Sequence, residues 1–423
     1  MSNTAAAASP SAWPHTPPCR FCRKPLNRTF VDLGMSPLCQ TVITPAQLNQ
    51  MEPFYPLHAY VCEHCFLVQI EEFVAPADIF TEYAYFSSYS DSWVEHARKY
   101  AVARKEELNL GAQSLVAEIA SNDGYLLQHF VKMGVPVLGI EPAANVGVVA
   151  REKGVRTETE FFGVETAKKL SAKYGQADLL LGNNVLAHVP NLHDFVGGMK
   201  VMLKAGGTIT MEFPHLWQLM DQNQYDTIYH EHFSYLAFFV VEKVFAHHGL
   251  RLFHVEELQS HGGSLRIFGC HQDDPRPTRD TAIRLREFEI AKGLNSLATY
   301  QAFEARVHEN KRQTLDFLIR ARREGKRVVG YGAPGKGNTL LNYCGIRTDF
   351  LELTVDRNPY KQGKFTPGTR IPILDPSVID QVRPDYIFIL PWNLSKEITS
   401  SMAHVRQWGC RFVVPIPDLR VLD

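Results

Sequence analysis

The stretch IYHEHFSYL, residues 228–236, gathers Tyr229, His230, Glu231, His232, Ser234 and Tyr235 within seven positions. Each of these side chains can take, give or relay a proton. One candidate chemistry is metal binding, but a metalloprotease helix spaces its zinc ligands H-E-x-x-H, whereas His230 and His232 at i and i+2 leave a helix on different sides. A hydrogen-bonded turn between helices is a second reading, and an acid/base site is a third. Choosing among them requires the rest of the chain.

Two C-x2-C pairs, Cys19/Cys22 in CRFC and Cys62/Cys65 in CEHC, carry zinc-knuckle spacing and together can supply four thiolates in a tetrahedral array. The gap between the pairs demands an inserted hairpin or loop. A redox C-x2-C usually comes singly and opens a helix after a strand, while Pro17 and Pro18 precede the first pair here. Cys39 and His64 are expected to be bystanders.

Two loops could hold nucleotide-like ligands. In AEIASNDGYLL only Gly124 is a glycine, so a pyrophosphate would be poorly cradled and a phosphate-free ligand fits better. The following strand ends in GIEP, where Glu141 can accept both hydroxyls of a ribose. The second loop, GYGAPGKGNT, satisfies G-x-G-x-x-G through Gly330, Gly332 and Gly335, and almost satisfies the Walker pattern through Gly330, Gly335 and Lys336. Gly337 stands where Walker chemistry needs Ser or Thr for magnesium, and Asp356 further on suits a dinucleotide. Under either reading a strand, a glycine turn and a helix N-terminus beside Lys336 favour an anion.

The elements that must position these groups follow from periodicity. From Ser114 onward apolar strands alternate with amphipathic helices, the signature of a doubly wound α/β sheet, closed by LRLFHVEEL and GSLRIFGC as an antiparallel hairpin at its edge. A charged helical stretch bridges to a smaller repetition of the same rhythm, predicting a second Rossmann-like domain. The expected boundaries are 1–75 for an unstructured lead and a small four-cysteine module, 76–275 for the middle domain, and 276–423 for the helical connector and C-terminal domain. The tyrosine-rich run from Tyr83 to Tyr100 suits packing between domains.

Composition narrows the partners. In a chain of 423 residues with 45% hydrophobic content, Lys+Arg 44 against Asp+Glu 45 leaves a formal charge of −1, so no global basic field exists to hold nucleic acid or an anionic membrane. No apolar run is long enough to span a bilayer, and the start lacks the basic and apolar regions of a secretion signal; a cytoplasmic protein is the expectation. Oligomeric state is not legible.

The order of these parts resembles the S-adenosylmethionine-dependent sugar C-methyltransferases over nearly the whole chain: the four-cysteine module, EIASNDGYL, GIEPAAN, GNNVLAHVPN, YHEHFSYL and GYGAPGKGNT. The resemblance implies a class I methyltransferase middle domain, structural zinc, and methylation of the carbon beside the ketone of a nucleotide-linked 4-keto-deoxysugar, usually thymidine diphosphate-linked. By that similarity Glu118, Ala120, Asn122, Gly124, Glu141, Pro142, Asn183 and Asn184 surround S-adenosylmethionine. His232 looks like the base, with Tyr229, Glu231, Tyr83 and His188 about it, and Tyr83, Gly335, Lys336 and Asn338 face the sugar nucleotide. Physical chemistry agrees with a base, because carbon is a poor nucleophile until deprotonated and its enolate then needs a partner. A neutral imidazole with a pKa of about 6.5 suits that task, and a neighbouring carboxylate could orient it. Methylation of oxygen or nitrogen, or dinucleotide-dependent oxidoreduction at GYGAPG, are the alternatives.

Overall fold

The computed structural model describes residues 16–75 and 86–422. The expected unstructured lead falls mostly outside this range, as does Tyr83. Three sheets organise the described chain.

The first sheet begins as an antiparallel meander of β1 (Arg28–Ser36), β2 (Tyr55–Val61) and β3 (Val68–Ile70). In β2 the period-2 pattern is clear, with Leu57, Ala59 and Val61 buried between half-buried neighbours. What β1 packs against comes from far along the chain. The helix Leu297–Arg323, which its charge pattern presents as a connector, buries a stripe including Tyr300, Phe303, Val307 and Thr314. Phe303 stacks on Phe30 of β1 at 4.6 Å between ring centroids, and both rings are fully buried. Burying a Phe side chain is worth about 1.5–3 kcal/mol, so this helix completes a core that a small module could not build alone.

The middle sheet runs through β4 (Val116–Ile119), β5 (Val137–Ile140), β6 (Thr157–Glu158), β7 (Ala177–Asn183) and β8 (Leu203–Pro214). The short strand β9 (Ser234–Tyr235) then returns to the first sheet beside β3. After it, β10 (Leu250–Leu258) and β11 (Ser264–His271) form the expected antiparallel hairpin. The order is β10-β11-β8-β7-β4-β5-β6, with the pairs from β6 to β8 parallel and β11 antiparallel to β8. All four residues of β4 and of β5 are buried, as a sheet covered on both faces requires. The chain leaves β4 towards β5 on one side and reaches β7 on the other, so a crevice opens beyond the C-terminal ends of β4 and β7.

The third sheet has the order β14-β15-β13-β12-β16-β17-β18, built from β12 (Val328–Tyr331), β13 (Thr354–Val355), β14 (Lys364–Phe365), β15 (Pro372–Leu374), β16 (Tyr386–Ile389), β17 (Arg411–Val414) and β18 (Arg420–Leu422). Its central strand β12 pairs in parallel with β13 and β16, which makes it the Rossmann-like unit that the glycine loop predicts. Among the described residues no helix is long and apolar enough to cross a membrane.

Candidate active site

The four cysteines converge as their spacing requires. Cys19 Sγ lies 3.6 Å from Cys65 Sγ and Cys22 Sγ 3.4 Å from Cys62 Sγ, and all four sulfurs fall within 4.8 Å of one another. Thiolates about 2.3 Å from a tetrahedral zinc would be about 3.8 Å apart, so the cage fits the ion. The two pairs are built alike: Arg23 N–H donates to the Cys19 carbonyl and Phe66 N–H to the Cys62 carbonyl, each at 3.0 Å, and Arg23 and Phe66 both turn left-handed to close their knuckles. Cys39 and His64 stay outside the cage.

This cage is tied to the IYHEHFSYL segment. Gln69 donates through Nε2 to Cys19 Sγ at 3.2 Å and accepts from Arg20 N at 2.8 Å, while its backbone pairs with Ser234 across β3 and β9. Ile70 N–H donates to the Phe233 carbonyl at 3.2 Å, and the His230 ring bonds the Pro56 carbonyl at 3.2 Å. His230 therefore faces the zinc module, whereas Tyr229, Glu231 and His232 line a cavity of about 570 Å³.

At one end of this cavity the β4 and β7 strands finish in residues with positive φ: Ala120 at 57°, Asn122 at 48° and Asn184 at 54°. Such a conformation is strained for Ala and tolerated by Asn, and it turns the loop backbone across the crevice. Glu141 accepts Asn122 N–H and Ala143 N–H, both at 2.9 Å, and burial raises its pKa against the pull of those two donors. Each carboxylate oxygen has a further lone-pair direction, so Glu141 on the cavity wall can also accept ribose hydroxyls. Ala120, Asn122, Glu141, Pro142, Asn183 and Asn184 all line the wall. This donor and acceptor set, free of any cation, fits S-adenosylmethionine.

Glu118 and Gly124 of the same loop are not among the residues that line the cavity. Glu118 is fully buried beneath the loop, its carboxyl pushed well above the usual carboxylate range by burial first and then by Glu141 and Asp123. Gly124 has φ 74°, and a Cβ there would approach Val155 and Ala150 to 3.0 and 3.2 Å; its glycine serves close packing of the helix Ala144–Glu152.

At the centre, His232 Nδ1–H donates to the Thr227 carbonyl at 2.9 Å, leaving the Nε2 lone pair as the basic one. The orienting group is thus a backbone carbonyl and not the carboxylate that sequence reasoning considered. The Tyr229 ring lies 4.0 Å and the His188 ring 4.7 Å from the His232 ring, centroid to centroid. Burial first, and then the neighbouring His188, His261 and Lys336, push His232 well below its ordinary pKa, so it is neutral at pH 7. His188, pushed down to about 4 by burial, is also neutral. Glu231 goes the other way: burial lifts it to about 8, which makes it a carboxylic acid, a hydrogen-bond donor, at neutral pH.

The other end belongs to the C-terminal sheet. Gly335 and Lys336 open the helix Gly335–Cys344 and line the cavity. Lys336 Nζ donates to Asn393 Oδ1 at 3.0 Å and sits 4.6 Å above the Trp392 ring, whose Nε1–H donates to Asp226 Oδ2 at 2.7 Å. Burial lowers the Lys336 pKa while Asp226 raises it, and burial lifts Asp226 to about 7. Asn338 lies elsewhere: fully inside, it donates to the Cys39 carbonyl at 2.7 Å and braces the zinc module against this helix.

Sequence reasoning missed His261. It lines the cavity and meets the Trp93 ring edge-on at 5.1 Å. Its φ of 55° is left-handed, and Gly262 follows because a Cβ there would come within 2.7 Å of Trp392. The signal available was SHGGS, a histidine on a turn that two glycines must close.

The fold and this site together define a class I S-adenosylmethionine-dependent methyltransferase with a structural zinc centre. Comparison with known sequences sharpens the class. Three family models match in chain order: a zinc binding domain over residues 19–80, a methyltransferase domain over 93–255, and a C-methyltransferase C-terminal domain over 259–417. The C-methyltransferase NovU of Streptomyces niveus is 33% identical over 405 residues, 96% of either chain. The chain belongs to this C-methyltransferase family. Solved structures that align with part of this chain include an S-adenosylmethionine-dependent methyltransferase from Clostridium acetobutylicum, at 12% identity, TM-score 0.34 and coverage of 42% of this chain and 91% of that one. Another is magnesium protoporphyrin IX methyltransferase of Synechocystis with bound S-adenosylmethionine, at 14% identity, TM-score 0.31 and coverage of 42% and 77%.

Proposed function

We propose that this C-methyltransferase acts on a nucleotide-linked 4-keto-deoxysugar, at C3 beside the ketone, with thymidine diphosphate as the carrier. The observation that carries this reading is the shared cavity: Glu141, His232 and Lys336, from three separate parts of the sequence, all line it. An acceptor for a ribose, a neutral base and a cation at a helix N-terminus are what a cofactor, an acidic carbon and a diphosphate need in turn.

Bound against Glu141, S-adenosylmethionine supplies a methyl group on a positively charged sulfur. The chain's own residues do the rest. His232 Nε2 removes the proton beside the ketone, with the ring held in the required tautomer by the Thr227 carbonyl. Charge then develops on the ketone oxygen, and the protonated Glu231 with the Tyr229 hydroxyl donates to it. This resembles the known use of a buried carboxylic acid, kept neutral by an apolar site, as an oxyanion donor. Lys336 and the start of its helix hold the diphosphate, while Gly335 leaves room for Cys39 and Gln40, which a Cβ there would approach to 2.9 Å. His188 packs against the base and limits water beside it; Tyr83, outside the described residues, is assigned to the sugar by family resemblance alone. The zinc module contributes rigidity, since β9 carries the base segment on its edge.

Incubation with labelled S-adenosylmethionine and a panel of nucleotide-linked 4-keto sugars tests the reading. Mass spectrometry should find one added methyl on carbon in at least one panel member. Transfer confined to oxygen or nitrogen acceptors would defeat it.

A further inference from the structure

On the face of the molecule next to the zinc cage, but outside it, three histidines come together from two helices. His193 stands in the first turn of the helix Leu192–Met202, and His247 and His248 close the helix Phe238–His247. One ring nitrogen of each lies within 4.8 Å of the others. The ring centroids of His193 and His247 are 4.9 Å apart, and those of His247 and His248 5.1 Å. We propose that His193, His247 and His248 form a second metal site, for a first-row divalent cation of the zinc, nickel or copper type, which fastens the first zinc knuckle to the methyltransferase domain.

The hydrogen bonding fixes which nitrogens are available. His193 Nε2 is 2.7 Å from the Phe21 carbonyl, which can only accept, so that nitrogen carries the proton and Nδ1 holds a lone pair. This Nδ1 faces His248 Nε2 at 3.1 Å. Two ligand nitrogens about 2.1 Å from one tetrahedral ion would be about 3.4 Å apart, so the pair is already near ligand spacing. A metal would replace the single proton they now share. His247 is exposed, which leaves its ring free to turn in as the third ligand and leaves water as the fourth.

The surroundings are those of a metal site. A ligating imidazole normally donates its other N–H to a carbonyl or carboxylate, and the Phe21 carbonyl fills that role for His193. Phe21 sits inside the Cys19/Cys22 knuckle, and its ring packs on His193 at 5.7 Å and edge-on to His247 at 5.8 Å. The helix Phe238–His247 ends here, and the negative end of its dipole favours a cation. Lys200 is the opposing charge: its Nζ lies 2.7 Å from where a Cβ on Gly249 would be, and it must turn outward when the ion binds. An all-imidazole set suits zinc, nickel and copper and disfavours magnesium and calcium, which take oxygen ligands.

The test is equilibrium dialysis of the full-length enzyme against zinc, with metal per chain counted by elemental analysis. Wild type should take up two equivalents, one in the thiolate cage and one in the histidine cluster, and no magnesium. His247→Ala and, separately, His248→Gln should keep the first equivalent and bind the second at least about tenfold more weakly, with methyl transfer unchanged. Because the chain carries 17 histidines, the variants separate this cluster from diffuse surface binding. His247 is exposed, so its variant folds even if that of His248 does not. A wild-type chain that holds one equivalent, or a second equivalent that His247→Ala binds as tightly as wild type, overturns the proposal.

Discussion

The two seven-stranded sheets solve the same geometric problem in opposite chemical ways. In each, a central parallel strand ends in a loop that leads into a helix, and an acid at the end of the next strand braces that loop. Glu141 accepts Asn122 N–H and Ala143 N–H; Asp356 accepts Ala333 N–H at 2.7 Å and Asn358 N–H at 2.8 Å. The sequence spacing that makes both acids look like ribose ligands is therefore explained, in both sheets, by the loop's own need for a partner. The difference lies in what faces the cavity. Glu141 lines it and Asp356 does not, whereas Lys336 at the start of the second helix does. An acid at a strand end is a brace first, and a ligand only where the cavity reaches it.

The sharpest way to separate the two halves is to stop the chemistry that joins them. His232→Asn keeps the shape and removes the basicity, so turnover should fall about 10²- to 10⁴-fold while S-adenosylmethionine and a thymidine diphosphate sugar still bind by calorimetry. His230→Asn should retain turnover, since its ring faces Pro56. Near-normal turnover in His232→Asn would move the base elsewhere along the segment.

Next come the two ends of the cavity. Glu141→Ala removes charge-assisted bonds worth roughly 1.5–3 kcal/mol, an affinity loss for S-adenosylmethionine of about tenfold to a hundredfold, and should leave nucleotide-sugar binding in place. Lys336→Ala should give the mirror image, with weaker binding of the diphosphate ligand, about tenfold, and an unchanged cofactor. If Lys336→Ala instead weakens the cofactor, the assignment of the two sheets is reversed and a dinucleotide reading of the glycine loop revives.

The smallest effect is on the pH profile. Because His232 is held well below its usual range, kcat/KM should show no fall as pH drops through about 6.5. Glu231, raised to about 8, is protonated below that value and ionised above it. Activity should therefore decline as pH rises through about 8, and Glu231→Gln, which cannot ionise, should flatten that limb. An alkaline limb that survives in Glu231→Gln would remove this residue as the oxyanion donor.

Much of this was legible in the chain. The two C-x2-C pairs implied their cage because ligand identity and spacing are local properties. The alternation from Ser114 implied a doubly wound sheet because burial on both faces writes itself into strand composition. The resemblance supplied His232, which the cavity contains. Other residues of the matching segments take places that no motif records. Glu118, Gly124 and Asn338 belong to matching segments yet sit beneath or behind the wall, since within a loop or helix turn only some side chains can point at one ligand.

Residue types and spacing by themselves determined the zinc ligands, the doubly wound architecture, the glycine loop and the presence of a proton-handling segment, because each of these is set by interactions over a few residues. Only the tertiary structure decided that these parts share one cavity. It also decided that β9 lies on the zinc module, that the helix Leu297–Arg323 completes that module's core, and that His261 joins the wall. The protonation of the site was decided at the same level: burial keeps His232 neutral and Glu231 protonated, and burial is a property of everything packed around a side chain.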